Sequence, residues 1–202
     1  MRLYLARHGE SEANVLRVIS NRGLVHPLTE LGQQEAVELE RSLAPVPITA
    51  IYSSPLLRAR QTAETVASAR GLPWEIVDAL REPDCGIAEG RSDEGAWAEH
   101  RRAWTAWMVE HRHDYRIEGG ESLSDVWNRF APFLDRLLFG HGSGDHLLLV
   151  THGALIRTML SLALADAEAV FAEPRPIPNS GTIVVERRAG GWVCMAWCGA
   201  PL

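Results

Sequence analysis

"HLLLVTHGALIRTMLSLAL", residues 146–164, places four apolar side chains in succession, turns at Thr151-His152-Gly153, and resumes with apolar residues at helical spacing. A short unbroken apolar run reads as a strand covered on both faces, and the segment after the turn reads as a helix. A strand feeding directly into a helix is the repeating unit of a parallel sheet with helices packed against it. The same arrangement opens the chain. "LYLA" (3–6) is a buried strand that stops on Arg7-His8-Gly9.

Between these two points strands and helices alternate. "PLTELGQQEAVELERSLA" (27–44) carries a helical apolar stripe at Leu31, Ala36, Val37, Leu39 and Leu43, with Thr29 as its N-cap. "ITAIYS" (48–53) is a strand, and Ser54-Pro55 opens a helix over 56–70. "WEIV" (74–77) is a further strand, and "ESLSDVWNRFAPFLDRLLFG" (121–140) a helix, with Ser122 and Asp125 at capping-box spacing. "TIVVERR" and "WVCMAW" form a hairpin around Gly190-Gly191. The expected fold is α/β, a three-layer sandwich with a mostly parallel sheet flanked by helices. Residues 78–120 break the alternation with many charges and three tryptophans. The expectation is a single domain over 1–202 with a cap insertion at 83–120.

A chain of 202 residues can bury a full core. Its net charge of −6 argues against non-specific nucleic-acid binding, which needs a basic face. No apolar run is long enough to span a membrane. The start, MRLYLA, is charged too early for a signal peptide. Cys85, Cys194 and Cys198 are odd in number and lack C-x-x-C spacing, so a reduced, cytoplasmic protein is expected. The pattern is compatible with a monomer or an oligomer.

In parallel α/β sheets ligands bind beyond the carboxyl ends of the strands. Two strands here end in histidine followed by glycine, at His8 and at His152. One such turn is ordinarily structural; two in one chain point to a site. With "RHGES" (7–11) and Asn14, "PLTELGQQEA" (27–36), "SSPLLRARQTAE" (53–64), "GGES" (119–122) and "THG" (151–153) in that order, the sequence resembles the histidine phosphatase superfamily along essentially its whole length.

The resemblance implies that His8 attacks phosphorus. That requires an unprotonated attacking nitrogen, the other nitrogen donating to a backbone carbonyl. His152 would be a second histidine, donating to a phosphoryl oxygen as charge builds. Arg7 and Arg58 offer planar forks suited to a phosphoryl dianion, and Arg58 stands in the first turn of a helix, where anions are favoured. Asn14 is a neutral donor for the same anion, or a turn residue. The family's general acid is usually a glutamate after the third strand, which places it at Glu82 in "LREPDCG" (80–86), with Asp84 as the competing acid. Burial beside a dianion should raise the Glu82 pKa. Glu121 reads as a helix-start residue.

The expected activity is hydrolysis of a small phosphomonoester through a phosphohistidine, without metal or other cofactor, and without a nucleic-acid or membrane partner. The alternative is phosphoryl transfer of the phosphoglycerate mutase type. Negative residues after Glu82 (Asp84 and Glu89) oppose a bisphosphate, although Arg91, Arg101 and Arg102 could reach the mouth from the cap. A catalytically inactive binding module is a third reading. A metal site on His8, His152 and Glu82 is disfavoured because the two arginines would repel a divalent cation. Trp97, Trp104 and Trp107, spaced seven and three apart, share a helix face, either selecting substrate or packing the cap onto the core.

Overall fold

The computed structural model of the chain describes residues 1–171 and 175–202. Four strands are parallel neighbours: β1 (Arg2–Arg7), β2 (Ala50–Ser53), β3 (Trp74–Ile76) and β4 (His146–Thr151). Beyond β1 the sheet continues antiparallel through β5 (Thr182–Arg188), β6 (Gly191–Trp197) and β7 (Ala200–Pro201). The order is β3-β2-β4-β1-β5-β6-β7. The sheet is therefore mixed, and its parallel half carries the two His-Gly turns. The C-terminal strands follow one another through tight turns, and such connections force antiparallel pairing.

Helices cover both faces. α2 (Glu30–Leu43) and α3 (Leu57–Arg70) share an apolar cluster with Tyr4, Ala6, Leu148 and Val150. α5 (Leu123–Gly140) and α6 (Gly153–Ala163) share the other with Leu3, Leu5, Leu147 and Leu149. The alternation follows from the two-residue period of a strand, and it explains why β4 must be apolar at every position from Leu147 to Val150. Short helices α1 (Glu12–Leu16) and α7 (Ala167–Phe171) complete the set, with α4 (Glu94–Met108) inside the 83–120 segment.

The expected caps form: Thr29 accepts from the Gly32 N–H at 3.0 Å, and Ser122 and Asp125 make a reciprocal capping box. At α3 the chain differs from expectation. Pro55 stands before the N-cap Leu56, which has no side-chain cap bond. The Ser54 hydroxyl accepts from the Leu56 N–H at 3.3 Å and bonds His152 at 2.7 Å.

The parallel register decides where the histidines lie. Arg7 of β1 pairs with Thr151 of β4, and the His8 N–H donates to the Thr151 carbonyl at 3.0 Å. Two positions far apart in sequence thus become neighbours at one sheet end. Gly9 then packs backbone to backbone on α2: a Cβ there would lie 2.3 Å from the Gly32 carbonyl oxygen. Neither partner can yield without moving a strand end or a helix. We expect Gly9→Ala to destabilise the fold by roughly 1–3 kcal/mol, the usual cost of overpacking. Urea unfolding checks this through a lowered midpoint at unchanged slope.

Candidate active site

Beyond the carboxyl ends of β1 and β4 lies a cavity of about 430 Å³, lined by Arg7, His8, Asn14, Arg58 and Glu82 among others. His8 is 3% exposed and each ring nitrogen has one partner. Arg58 Nε stands 3.0 Å from Nε2, and the Gly9 carbonyl oxygen 2.6 Å from Nδ1. A guanidinium only donates, so Nε2 must be the acceptor and Nδ1 the N–H donor to Gly9. The tautomer is thereby fixed, with the Nε2 lone pair directed into the cavity side. Burial pushes the His8 pKa well below the ordinary histidine range, and the charges of Arg58 and Arg7 lower it further. The ring is neutral and nucleophilic at neutral pH.

Arg58 is 5% exposed, and its other donor holds the Ser20 carbonyl at 2.8 Å. Arg7 donates to the Ile177 carbonyl at 2.8 Å. Among the described residues neither has a carboxylate within ion-pair distance, the ion pairs of the chain lying elsewhere. Burial lowers the pKa of both, Arg58 to about 10. Glu82 and Glu35 act on Arg7, and Glu82 and Glu89 on Arg58, only from beyond contact distance. Largely desolvated cations with no carboxylate in direct contact are costly, and an anion between them lowers that cost.

Glu82 sits across the cavity with its carboxyl docked on the first turn of α6. The Ala154 N–H donates to one oxygen at 3.1 Å and the Leu155 N–H to the other at 2.9 Å. Burial raises its pKa above the ordinary carboxyl range, against the pull of those two N–H groups and of Arg58 and Arg7. Asp84, the competing acid, is spent elsewhere. Arg22 grips it with two donors at 2.8 and 2.7 Å, and it accepts from the Gly86 N–H at 2.8 Å. Although burial pushes the other way, these partners hold its pKa below the ordinary aspartate range. Glu121 does more than start a helix. It accepts from the Asp84 N–H at 2.9 Å and from Arg129 Nε at 2.8 Å, and so fastens the loop that carries Glu82. The glycines of "GGES" fit beneath that loop: a Cβ on Gly120 would lie 2.6 Å from the Asp84 carbonyl oxygen.

His152 lies edge-on behind His8, ring centroids 5.0 Å apart, and is 1% exposed rather than on the cavity wall. Its Nε2 bonds the Ser54 hydroxyl at 2.7 Å while its buried Nδ1 has no partner among the described residues. Burial, followed by the charge of Arg58, lowers its pKa well below the ordinary range. Asn14 reaches the cavity, but its Oδ1 accepts from the Ser11 N–H and hydroxyl, each at 3.0 Å. Only its amide N–H₂ remains for an anion.

The tryptophan stripe divides. Trp97 and Trp104 line the cavity, while Trp107 is buried in the core and donates to the Tyr115 carbonyl at 2.7 Å. Arg91, Arg101 and Arg102 do not reach the mouth. Arg91 pairs with Asp93, Arg101 with Glu94, and Arg102 lies over the Tyr115 ring at 5.8 Å. Their places on the wall are taken by His100 and Arg157, which the sequence reading passes over. His100 was findable, being three residues from Trp97 and four from Trp104 on one helix face. Ser54, the partner of His152, had no signal beyond its place in "SSP". Among the described residues no group of three or more His, Cys, Asp or Glu side chains is arranged to hold a metal ion.

Residues 3–199 match the model of the histidine phosphatase superfamily, branch 1. The chain belongs to that superfamily. A Salmonella choleraesuis protein named "Probable phosphoglycerate mutase GpmB" is 31% identical over 198 residues, covering 98% of this chain and 90% of that one. Among solved structures of the superfamily's phosphatases, a mycobacterial glucosyl-3-phosphoglycerate phosphatase with VO3 is similar at TM-score 0.79. It is 26% identical, with 98% of this chain and 99% of that one covered. The α-ribazole phosphatase of Shigella flexneri has TM-score 0.79 and 26% identity, with 100% and 99% covered.

Proposed function

We propose that the protein hydrolyses a small phosphomonoester through a phosphohistidine on His8, without a metal. One observation carries this reading: a neutral His8 whose Nε2 lone pair is held by Arg58, beside a second guanidinium, Arg7, with no carboxylate in direct contact with either among the described residues. Substrate phosphate between Arg7 and Arg58 draws the Arg58 donor from Nε2 to a phosphoryl oxygen, which releases the lone pair. Nε2 then bonds phosphorus as the bond to the ester oxygen breaks, and Glu82 gives its proton to the leaving oxygen. Water next attacks phosphorus, Glu82 takes a proton from it, and the P–N bond breaks with its electron pair returning to Nε2. The orphaned Nδ1 of His152 gains a partner if a phosphoryl oxygen comes within its reach, and the free amide of Asn14 supplies a further donor.

Identity with a mutase-named relative favours phosphoryl transfer as a second reading. Against it, the wall beyond the phosphate is mostly apolar, and Arg157 there is committed to the Arg175 carbonyl and the Trp197 ring. Beyond Arg7 and Arg58, a bisphosphate would find one further cation, Arg157, among the described lining residues. We place segment 83–120 as the cap of a single domain, with Trp97 and Trp104 facing the substrate. Free cysteines and the absence of a described helix long and apolar enough to cross a membrane support a cytoplasmic setting.

A panel of phosphomonoesters, assayed with and without chelator and with 3-phosphoglycerate as acceptor, tests the reading. Release of inorganic phosphate at a rate unchanged by chelator is expected, since the two arginines already supply the positive charge a metal would bring. Loss in chelator restored by a divalent ion, or transfer to the acceptor in preference to water, overturns it.

A further inference from the structure

The cavity is larger than a phosphoryl group needs, and within the range of about 300–1,000 Å³ typical of small-molecule sites. Its upper wall is one face of α4. Trp97, His100 and Trp104 line it at helical spacing, opposite the apolar side chains of Ile19 and Ile177. The Trp97 indole N–H is anchored to the Arg17 carbonyl at 2.9 Å, so that ring is held in place. His100 packs edge-on against it, centroids 5.3 Å apart. Among the described residues the His100 ring nitrogens bond no other side chain or backbone group, and burial keeps the ring neutral by lowering its pKa. This face of α4 thus offers two flat apolar surfaces with one unspent neutral hydrogen-bonding group between them.

We infer that the Trp97–His100–Trp104 face binds the alcohol portion of the substrate and selects a ring bearing a hydroxyl. The inference rests on the phosphomonoester reading above. A ring face stacks on indole. A neutral imidazole can donate to or accept from a hydroxyl, and a site built to bond a hydroxyl rejects the analogue that lacks it. His100 is then a specificity-determining residue, and the two indoles supply its setting.

Three esters separate these contributions: methyl phosphate has no body, cyclohexylmethyl phosphate has the ring alone, and glucose 6-phosphate has the ring with hydroxyls. The expected order of kcat/KM is glucose 6-phosphate, then cyclohexylmethyl phosphate, then methyl phosphate. His100→Ala should reduce the preference of glucose 6-phosphate over cyclohexylmethyl phosphate by about three- to tenfold, the effect of one net hydrogen bond. His100→Gln, which keeps a neutral N–H at similar reach, should restore part of it. Trp104→Leu should reduce the preference of both ring esters over methyl phosphate by a similar factor. Arg101→Ala, on the outward face, should leave every ratio unchanged. Quenching of tryptophan fluorescence by cyclohexylmethylphosphonate and methylphosphonate, neither of which has a P–O–C bond to break, gives a readout independent of turnover. If the ring phosphonate binds more tightly and Trp104→Leu removes the difference, yet no ester is hydrolysed, the phosphatase reading falls and the ring site stands. Equal binding of the two phosphonates, or preferences unmoved by His100→Ala, overturns the ring site.

Discussion

His8→Ala protein mixed with a labelled phosphomonoester and quenched in alkali is expected to carry no label, and turnover should fall roughly 10⁴- to 10⁶-fold, as when a covalent catalyst loses its nucleophile. The unsubstituted protein should carry a label stable in alkali and lost in acid, the behaviour of a phosphorus–nitrogen bond. The size of the effect follows from the geometry. Arg58 at 3.0 Å from Nε2 and the Gly9 carbonyl at 2.6 Å from Nδ1 fix Nε2 as the nitrogen with the lone pair, and burial keeps the ring neutral. Rival nucleophiles are poorly placed. The Ser54 hydroxyl is bonded to His152, and burial pushes the Cys85 thiol upward, away from thiolate. A label that survives acid, on serine, or one that persists in the His8→Ala protein, would overturn the assignment.

The parts of this site legible in the sequence are those specified locally. An apolar run of four, a His-Gly turn and a helical stripe each show themselves within a few residues, and they locate His8, His152 and Arg58 at element ends. Their meeting depends on the register of β1 against β4, which no local pattern encodes. Two like strand ends in one chain implied it, and the Arg7–Thr151 pairing delivers it. The antiparallel wing was visible as a hairpin, but its attachment to β1 is a long-range pairing with no local sign.

Side-chain direction was the least legible. Arg101 and Arg102 sit between the tryptophans in sequence, yet helical rotation turns them outward, toward Glu94 and Tyr115. The phase of α4 is set by burial of Ala103, Ala106 and Trp107 against the core, a tertiary effect. The same rotation brings His100 inward. Asn14 illustrates a different limit: its residue type suits an anion, but local bonds from Ser11 claim its oxygen and leave half of the side chain. What distinguishes Glu82 from Asp84 is partners distant in sequence, the start of α6 for Glu82 and Arg22 for Asp84.

That distinction leads to the second large effect. Glu82→Gln should lower turnover of alkyl phosphomonoesters by about 10²–10⁴-fold, the range for losing general acid–base assistance. Glutamine keeps an acceptor for the first turn of α6 but has no proton to give. The loss should be smaller for nitrophenyl phosphate, because nitrophenolate departs without protonation. The pH dependence has a definite sign. On the proposed mechanism, forming the phosphohistidine requires protonated Glu82, whose pKa is raised by burial. For an alkyl ester kcat/KM should therefore hold below that pKa and fall as pH rises through it. His8 contributes no limb near neutrality, since its pKa lies well below the ordinary range and the ring is already unprotonated there. In Glu82→Gln the basic limb should vanish, while any limb belonging to the substrate's own phosphate persists. Equal losses for alkyl and nitrophenyl esters, with the limb retained, would show that Glu82 positions the substrate and that the proton comes from another group.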